Sequence, residues 1–122
     1  MTKDIAQLWI PYRMPGLNDY VDACRSNKYA GAVMAKKWKM MVSSIVGAKK
    51  QYDRVYVDFL WVEQNKKRDP DNIVFAKKFI LDGLVDAGLI KKDGWAQISG
   101  FSDRWMVDKD NPGVRVTVRG EA

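Results

Sequence analysis

Residues 54–72 read Arg54-Val55-Tyr56-Val57-Asp58-Phe59-Leu60-Trp61-Val62-Glu63-Gln64-Asn65-Lys66-Lys67-Arg68-Asp69-Pro70-Asp71-Asn72. In the first half, Val55, Val57, Phe59 and Trp61 alternate with Tyr56, Asp58, Leu60 and Val62. A period of two belongs to a strand. Both sets are largely apolar, which predicts a central strand covered on both faces. Polarity then rises over 64–70, which reads as a loop. A new period follows: Ile73, Ala76, Ile80, Leu84 and Ala87 share one face at about 100° per residue, and Val74, Leu81 and Val85 widen it. Asp69, Asp71 and Asn72 are candidate caps, Pro70 suits a first turn, and Gly88 suits the residue just past a helix. The spacing therefore predicts a deeply packed helix over 71–87.

Working outward, 5–12 predicts a first strand ending at Pro11, and 13–20, with Pro15, Gly16, Asn18 and Asp19, predicts a loop. Residues 28–47 place Tyr29, Val33, Met40, Met41 and Ile45 at helical spacing. Lys36-Lys37-Trp38-Lys39 on that helix reads as a solvated face. Lys91-Lys92-Asp93-Gly94 is a turn, and 96–107 and 113–119 read as two closing strands joined through Asp108–Pro112. In the last strand Val114, Val116 and Val118 alternate with Arg115, Thr117 and Arg119, which predicts one wet, basic face. The expectation is a single α+β domain over 1–122, order roughly β-α-β-α-β-β, with a small mixed sheet of about four strands and two main helices.

Composition narrows the chemistry. The chain has 122 residues, 47% hydrophobic, and a net charge of +6 with a pI near 9.5. A basic balance favours a polyanionic partner. There is no histidine, which excludes His-based triads and His phosphotransfer. With a single cysteine, Cys24, a structural zinc site and an intrachain disulfide are excluded as well. Cys24 itself reads as a small buried residue. No apolar run approaches a membrane span, and Met1-Thr2-Lys3-Asp4 lacks the order of a signal peptide, so the expected compartment is the cytoplasm, with no membrane partner. No small-molecule organic cofactor is expected. Enzymatic chemistry on this chain would rest on carboxylates, lysines and a metal.

The run Lys66-Lys67-Arg68-Asp69-Pro70-Asp71-Asn72 has those ingredients. Carboxylate oxygens suit a hard divalent ion such as Mg²⁺. Adjacent Lys and Arg suit a phosphate backbone. Asp-Pro-Asp-Asn is equally ordinary capping chemistry. On one continuous helix Asp71, Lys78 and Asp82 would fall in one narrow polar sector, with Lys77 turned into the apolar one. Lys78 is then the better active-site candidate, although an i,i+4 ion pair with Asp82 would also explain it. Asp93 supplies a further acid at the far end of the helix, and it too has a plain reading as a turn residue.

These residues resemble the RusA-type Holliday-junction resolvases, small endonucleases found in phages and prophages. The hallmark of that family is D-x-D-N, a lysine, an apolar D-x-L-x-x-A-G segment and an acidic turn. Here it reads Asp69-Pro70-Asp71-Asn72, Lys78, Asp82-Gly83-Leu84-Val85-Asp86-Ala87-Gly88 and Lys92-Asp93. Pro15, Asn18 and Tyr20 resemble the family's proline-asparagine-tyrosine loop. The resemblance implies a homodimeric endonuclease dependent on Mg²⁺, with Mn²⁺ as an alternative, that nicks four-way DNA junctions in recombination and repair. It implies that Asp69, Asp71 and Asp93 hold the metal and that Lys78 assists the transition state. On this reading Lys66, Lys67, Arg68, Lys91 and Lys92 hold flanking phosphates, and Asn18, Asn72 and Lys77 add DNA contacts. In one respect the chain departs from the pattern. The family's lysine stands four residues after the second Asp, where this chain has Phe75. Lys78 is in register only when counted back from Asp82, so an insertion near Ile73–Lys77 is implied and Lys77 remains a second candidate. The rival expectations are a non-catalytic branched-DNA-binding relative and a nuclease preferring flaps or forks.

Overall fold

The computed structural model describes residues 2–47 and 50–121. The elements in order are β1 (Thr2–Ile10), α1 (Leu17–Ser26), α2 (Ala30–Val46), β2 (Val55–Glu63), α3 (Pro70–Val74), α4 (Lys77–Asp86), β3 (Ile98–Val107) and β4 (Gly113–Glu121). This is an α+β fold around one four-stranded mixed sheet, in the order β1-β4-β2-β3. β2 is central: it runs parallel to β3 and antiparallel to β4, which in turn pairs antiparallel with β1. The α3–α4 segment makes the crossover that a parallel pair requires.

β3 and β4 follow one another in the chain but do not touch, because β2 lies between them. The linker 108–112 crosses the end of β2. There the Asp108 N–H donates to the Glu63 carbonyl (2.8 Å), while the Asp108 carboxylate accepts from the Asp110 and Asn111 N–H groups.

The alternation of β2 holds, but its environment differs from the expectation. Val55, Val57, Phe59 and Trp61 are buried in one core with Val116, Val118, Phe79, Ile80 and Leu84. Tyr56, Asp58 and Leu60, on the other face, are only half-buried. The sheet is thus covered on one side, and an antiparallel neighbour permits an open face that a fully parallel sheet would not. That face bears Arg115 and Arg119, the basic side expected of the last strand. There the Asp58 carboxylate accepts from the Ser102 hydroxyl and the Arg119 guanidinium. Partial burial tends to raise the Asp58 carboxyl. The Ser102 and Arg119 hydrogen bonds, with the charges of Arg119 and Arg104, outweigh it and hold the group below the usual carboxylate value.

Two segments read as loop or as one helix are otherwise in the structure. Residues 17–20 open α1 rather than continuing a loop; the cap that permits this comes from elsewhere in the chain, as described below. The single helix expected over 71–87 is two helices. At Phe75–Ala76 the bonds tighten to i→i−3 spacing, Ala76 N–H to Ile73 O and Lys78 N–H to Phe75 O, before i→i−4 bonding resumes with Ile80 N–H to Ala76 O. α4 ends as expected. Gly88 has φ +83, and Leu89 N–H reaches the Leu84 carbonyl, closing a Schellman-type end. Cys24, expected to be buried, is exposed on α1, a helix with no buried residue. No helix among the described residues is long and apolar enough to cross a membrane.

Candidate functional site

β2 delivers the chain to the site through Glu63, its last residue, which is buried. Arg68 folds back onto it. Its Nε and Nη2 donate to the two Glu63 carboxylate oxygens (2.9 and 2.8 Å), and Nη1 donates to the Met14 carbonyl (3.0 Å). Asp19 stands 3.8 Å away. The paired side chains are only 11% and 10% exposed. Arg68 was expected to hold phosphate; its guanidinium is instead consumed by an internal clamp that ties the 64–69 loop to the 11–16 segment. Lys66 and Lys67 remain exposed, with no ion-pair partner among the described residues.

α3 begins at Pro70, with Asp69 in extended conformation as its N-cap residue. The Asp69 side chain makes no capping bond. Asp71, in the first turn, is also exposed, and neither carboxylate has an ion-pair partner among the described residues. Capping, the ordinary explanation of these acids, is therefore not what their side chains do here. Asn72 is the residue that caps, and it caps another helix. Its Oδ1 accepts from the Asn18 N–H (2.9 Å) in the first turn of α1. Gly16, the N-cap residue of α1, has no side chain for this task, and a Cβ there would lie 2.6 Å from Asn72 Oδ1. Asp19 completes the arrangement by accepting from the Gly16 N–H (2.9 Å). The Asp-x-Asp-Asn and Pro-x-x-Asn-x-Tyr segments are thus one structural unit, with Tyr20 packed on Phe75 at 5.1 Å between ring centroids. Asn18 and Asn72, expected to contact DNA, meet one another through this cap; the Asn18 side chain is exposed and Asn72 is half-buried.

Beyond the break at Phe75–Ala76 the two candidate lysines part. Lys77 turns under β3, where Nζ donates to Asp103 Oδ2 (2.8 Å) and lies 4.6 and 5.1 Å from the Phe101 and Phe59 ring centroids. The other Asp103 oxygen accepts from the Trp61 indole N–H (2.9 Å). Lys78 points outward, bonded to Asp82 at 3.1 Å and 3.9 Å from Asp93. The Asp82 hydrogen bond leads in holding the Lys78 ammonium above the usual lysine value; partial burial opposes it, and the charges of Asp82 and Asp93 add to it. Lys78 can donate to an anion but cannot serve as a base near neutrality. The polar stripe of Asp71, Lys78 and Asp82 expected on one helix is divided between two, Asp71 on α3 and Lys78 and Asp82 on α4. What forms is the i,i+4 pair of Lys78 and Asp82 that spacing allowed, joined by Asp93, which spacing alone could not place there. Asp103, the partner of Lys77, was not foreseen: nothing in a lone strand Asp signals a lysine some twenty-five residues earlier. Lys91 and Lys92 are exposed.

Beside Asp69 lies a cleft of about 520 Å³, lined by Glu63, Lys66, Asp69, Ile73, Trp105 and Met106 among others. Its wall mixes two acids, Asp69 and the Arg68-paired Glu63, and the cation Lys66 with apolar side chains from the exposed end of β3. For a divalent ion, no three acidic side chains among the described residues converge. The expected trio Asp69, Asp71 and Asp93 is therefore not assembled within one chain, and Asp93 faces Lys78. Asp69 and Asp71 by themselves, free of cationic partners, do suit an ion such as Mg²⁺, which keeps several waters and is commonly held by one or two carboxylates together with phosphate oxygens.

No protein-family model matches this chain, and no curated protein matches it. Among solved structures, the hydrogenase maturation protein HypE is similar over 99% of this chain, at 14% identity and a TM-score of 0.30. The chain spans 32% of that structure's length. At that TM-score the two need not share a fold, and nothing is carried across from it.

Proposed function

We propose that this protein is a metal-dependent endonuclease acting on branched DNA, in the manner of a Holliday-junction resolvase. The observation that carries the reading is the pair Asp69 and Asp71: two exposed carboxylates with no cationic partner among the described residues, at the head of α3 where Asn72 caps α1 through the Asn18 N–H, and preceded by the exposed Lys66 and Lys67. Bound Mg²⁺ would supply a polarised phosphate and an oriented water. The chain's own part is to hold that ion with Asp69 and Asp71. Lys66, Lys67, Lys91 and Lys92 would hold phosphates on either side without reading bases. Lys78, protonated at neutral pH and presented by Asp82, would offset charge developing on the leaving side. Arg68 and Asn72 act as positioning residues rather than as DNA contacts. A homodimer would present two such sites, as paired nicks in a four-way junction require.

The test is cleavage of a labelled synthetic four-way junction with Mg²⁺ or EDTA. Paired nicks that need both Mg²⁺ and Asp71, and vanish in Asp71→Asn while binding persists, support the reading; nicks retained by Asp71→Asn overturn the metal site. One observation favours a second reading. Asp93 is turned to Lys78 and does not join the other two acids, the arrangement of a relative that binds branched DNA without cutting it. Tight binding without cleavage at any Mg²⁺ concentration would select that reading.

A further inference from the structure

Trp95 is 98% exposed, the barest large hydrophobic side chain among those described. It stands on the turn between Lys91-Lys92-Asp93 and β3, and its backbone is firmly held. Arg54 Nη1 donates to the Ala96 carbonyl (3.1 Å) and reaches the Trp95 carbonyl at 3.5 Å. Gln97 and Ile98 N–H groups both donate to the Gly94 carbonyl, and Val55 N–H donates to the Gln97 carbonyl (2.8 Å). A bare indole on a pinned turn is presented, not merely left over from a loose loop. Beside it the ring of Phe101, 40% exposed, closes a shallow recess of about 200 Å³ floored by Gly94 and Ile98. Lys77 lies against Phe101 from below, at 4.6 Å from its centroid.

We infer that this recess is a stacking platform for one unpaired nucleobase. The inference rests on the nucleic-acid reading above but not on cleavage. Nucleobases stack on exposed aromatic rings whatever their sequence, and the grooves that use this add cations for the backbone. Lys91 and Lys92 meet that need, since both are exposed and neither has an ion-pair partner among the described residues. The one acid in the recess, Asp93, faces Lys78 at 3.9 Å, which offsets its charge toward an approaching phosphate. A base in a paired arm is already stacked on both sides and cannot reach the indole. The platform therefore selects branch points and single strands, where bases are free.

Binding of a fluorescein-labelled oligothymidylate and of a blunt, fully paired linear duplex of equal length is measured by anisotropy at one fixed salt concentration, for wild type, Trp95→Ala, Trp95→Phe and Phe101→Ala. Stacking contributes enough that Trp95→Ala should weaken the single strand about 5- to 150-fold, leave the duplex within about twofold, and be largely restored by Trp95→Phe. Phe101→Ala should weaken the single strand in the same direction. Trp95→Ala binding the single strand like wild type would overturn the inference, as would an equal loss on duplex, or a change of oligomeric state that marks the indole as a contact between copies. Absence of Mg²⁺-dependent cleavage with Trp95-dependent single-strand binding would leave this inference standing and remove the nuclease reading.

Discussion

Arg68→Ala tests the internal clamp most directly. The substitution removes both hydrogen bonds to Glu63 and the one to the Met14 carbonyl. It leaves the Glu63 carboxylate about one-tenth exposed and without its counter-charge. Breaking one partner of a buried, bidentate pair costs about 3–5 kcal/mol, mostly the penalty of the stranded charge. Against a total stability of about 5–15 kcal/mol for a domain, that is a large fraction, equivalent to a fall of roughly 12–20 °C in melting temperature for a chain of this size. Replacing both partners by apolar residues, Glu63→Leu with Arg68→Met, should cost much less than the single change, since no charge is stranded. Urea unfolding reads the Arg68→Ala loss, and urea unfolding of Glu63→Leu, Arg68→Met and their double closes the cycle and reads the coupling. A loss under about 1 kcal/mol for Arg68→Ala would put the pair among exposed ones and refute the clamp. If that small loss came with a shallower dependence of DNA affinity on salt, the guanidinium would be a phosphate contact after all.

Two further outcomes follow from packing and charge. A Cβ at Gly83 would lie 2.5 Å from both Val42 Cβ and Cγ1 and 3.1 Å from the Lys39 carbonyl, so Gly83→Ala should destabilise by about 1–3 kcal/mol through overpacking despite alanine's better helix propensity; equal or higher stability in urea would refute the α2–α4 contact. The Asp58 carboxyl is held low in the folded state, so its contribution is full above the unfolded value of about 3.9 and is lost as pH falls through the folded one. Unfolding free energy should therefore drop below about pH 5 in wild type and drop less in Asp58→Asn; identical acid limbs would refute that role for the Arg119–Asp58–Ser102 network.

Much of the architecture was legible in local pattern. The period of two over 55–62 marked β2, and the valine–arginine alternation of 114–119 marked β4 and its basic face, because side-chain direction along a strand is fixed by the backbone itself. The buried side of α4, with Ile80 and Leu84, followed from helical spacing for the same reason. Gly88 ended the helix as expected, since a left-handed residue there suits glycine. What failed was whatever depended on a contact made across a loop or a break, which local periodicity does not fix. The start of α1 at Leu17 was invisible because its cap is Asn72, over fifty residues later. The clamp of Arg68 onto Glu63 was not legible because Glu63 is made its buried neighbour only by the packing of β2's end.

The candidate site divides the same way. The sequence by itself determined that any chemistry must run on carboxylates and lysines, and it singled out Asp69, Asp71 and Lys78. Only the tertiary structure decided which of these are free and which are spoken for. Packing of α4 under β3 sends Lys77 to Asp103, the turn after α4 brings Asp93 to the Lys78–Asp82 pair that helical spacing already allowed, and Asp69 and Asp71 are left without an ion pair among the described residues. Spacing along a chain fixes directions only within one unbroken element; across a break, packing of the next helix onto the sheet sets them.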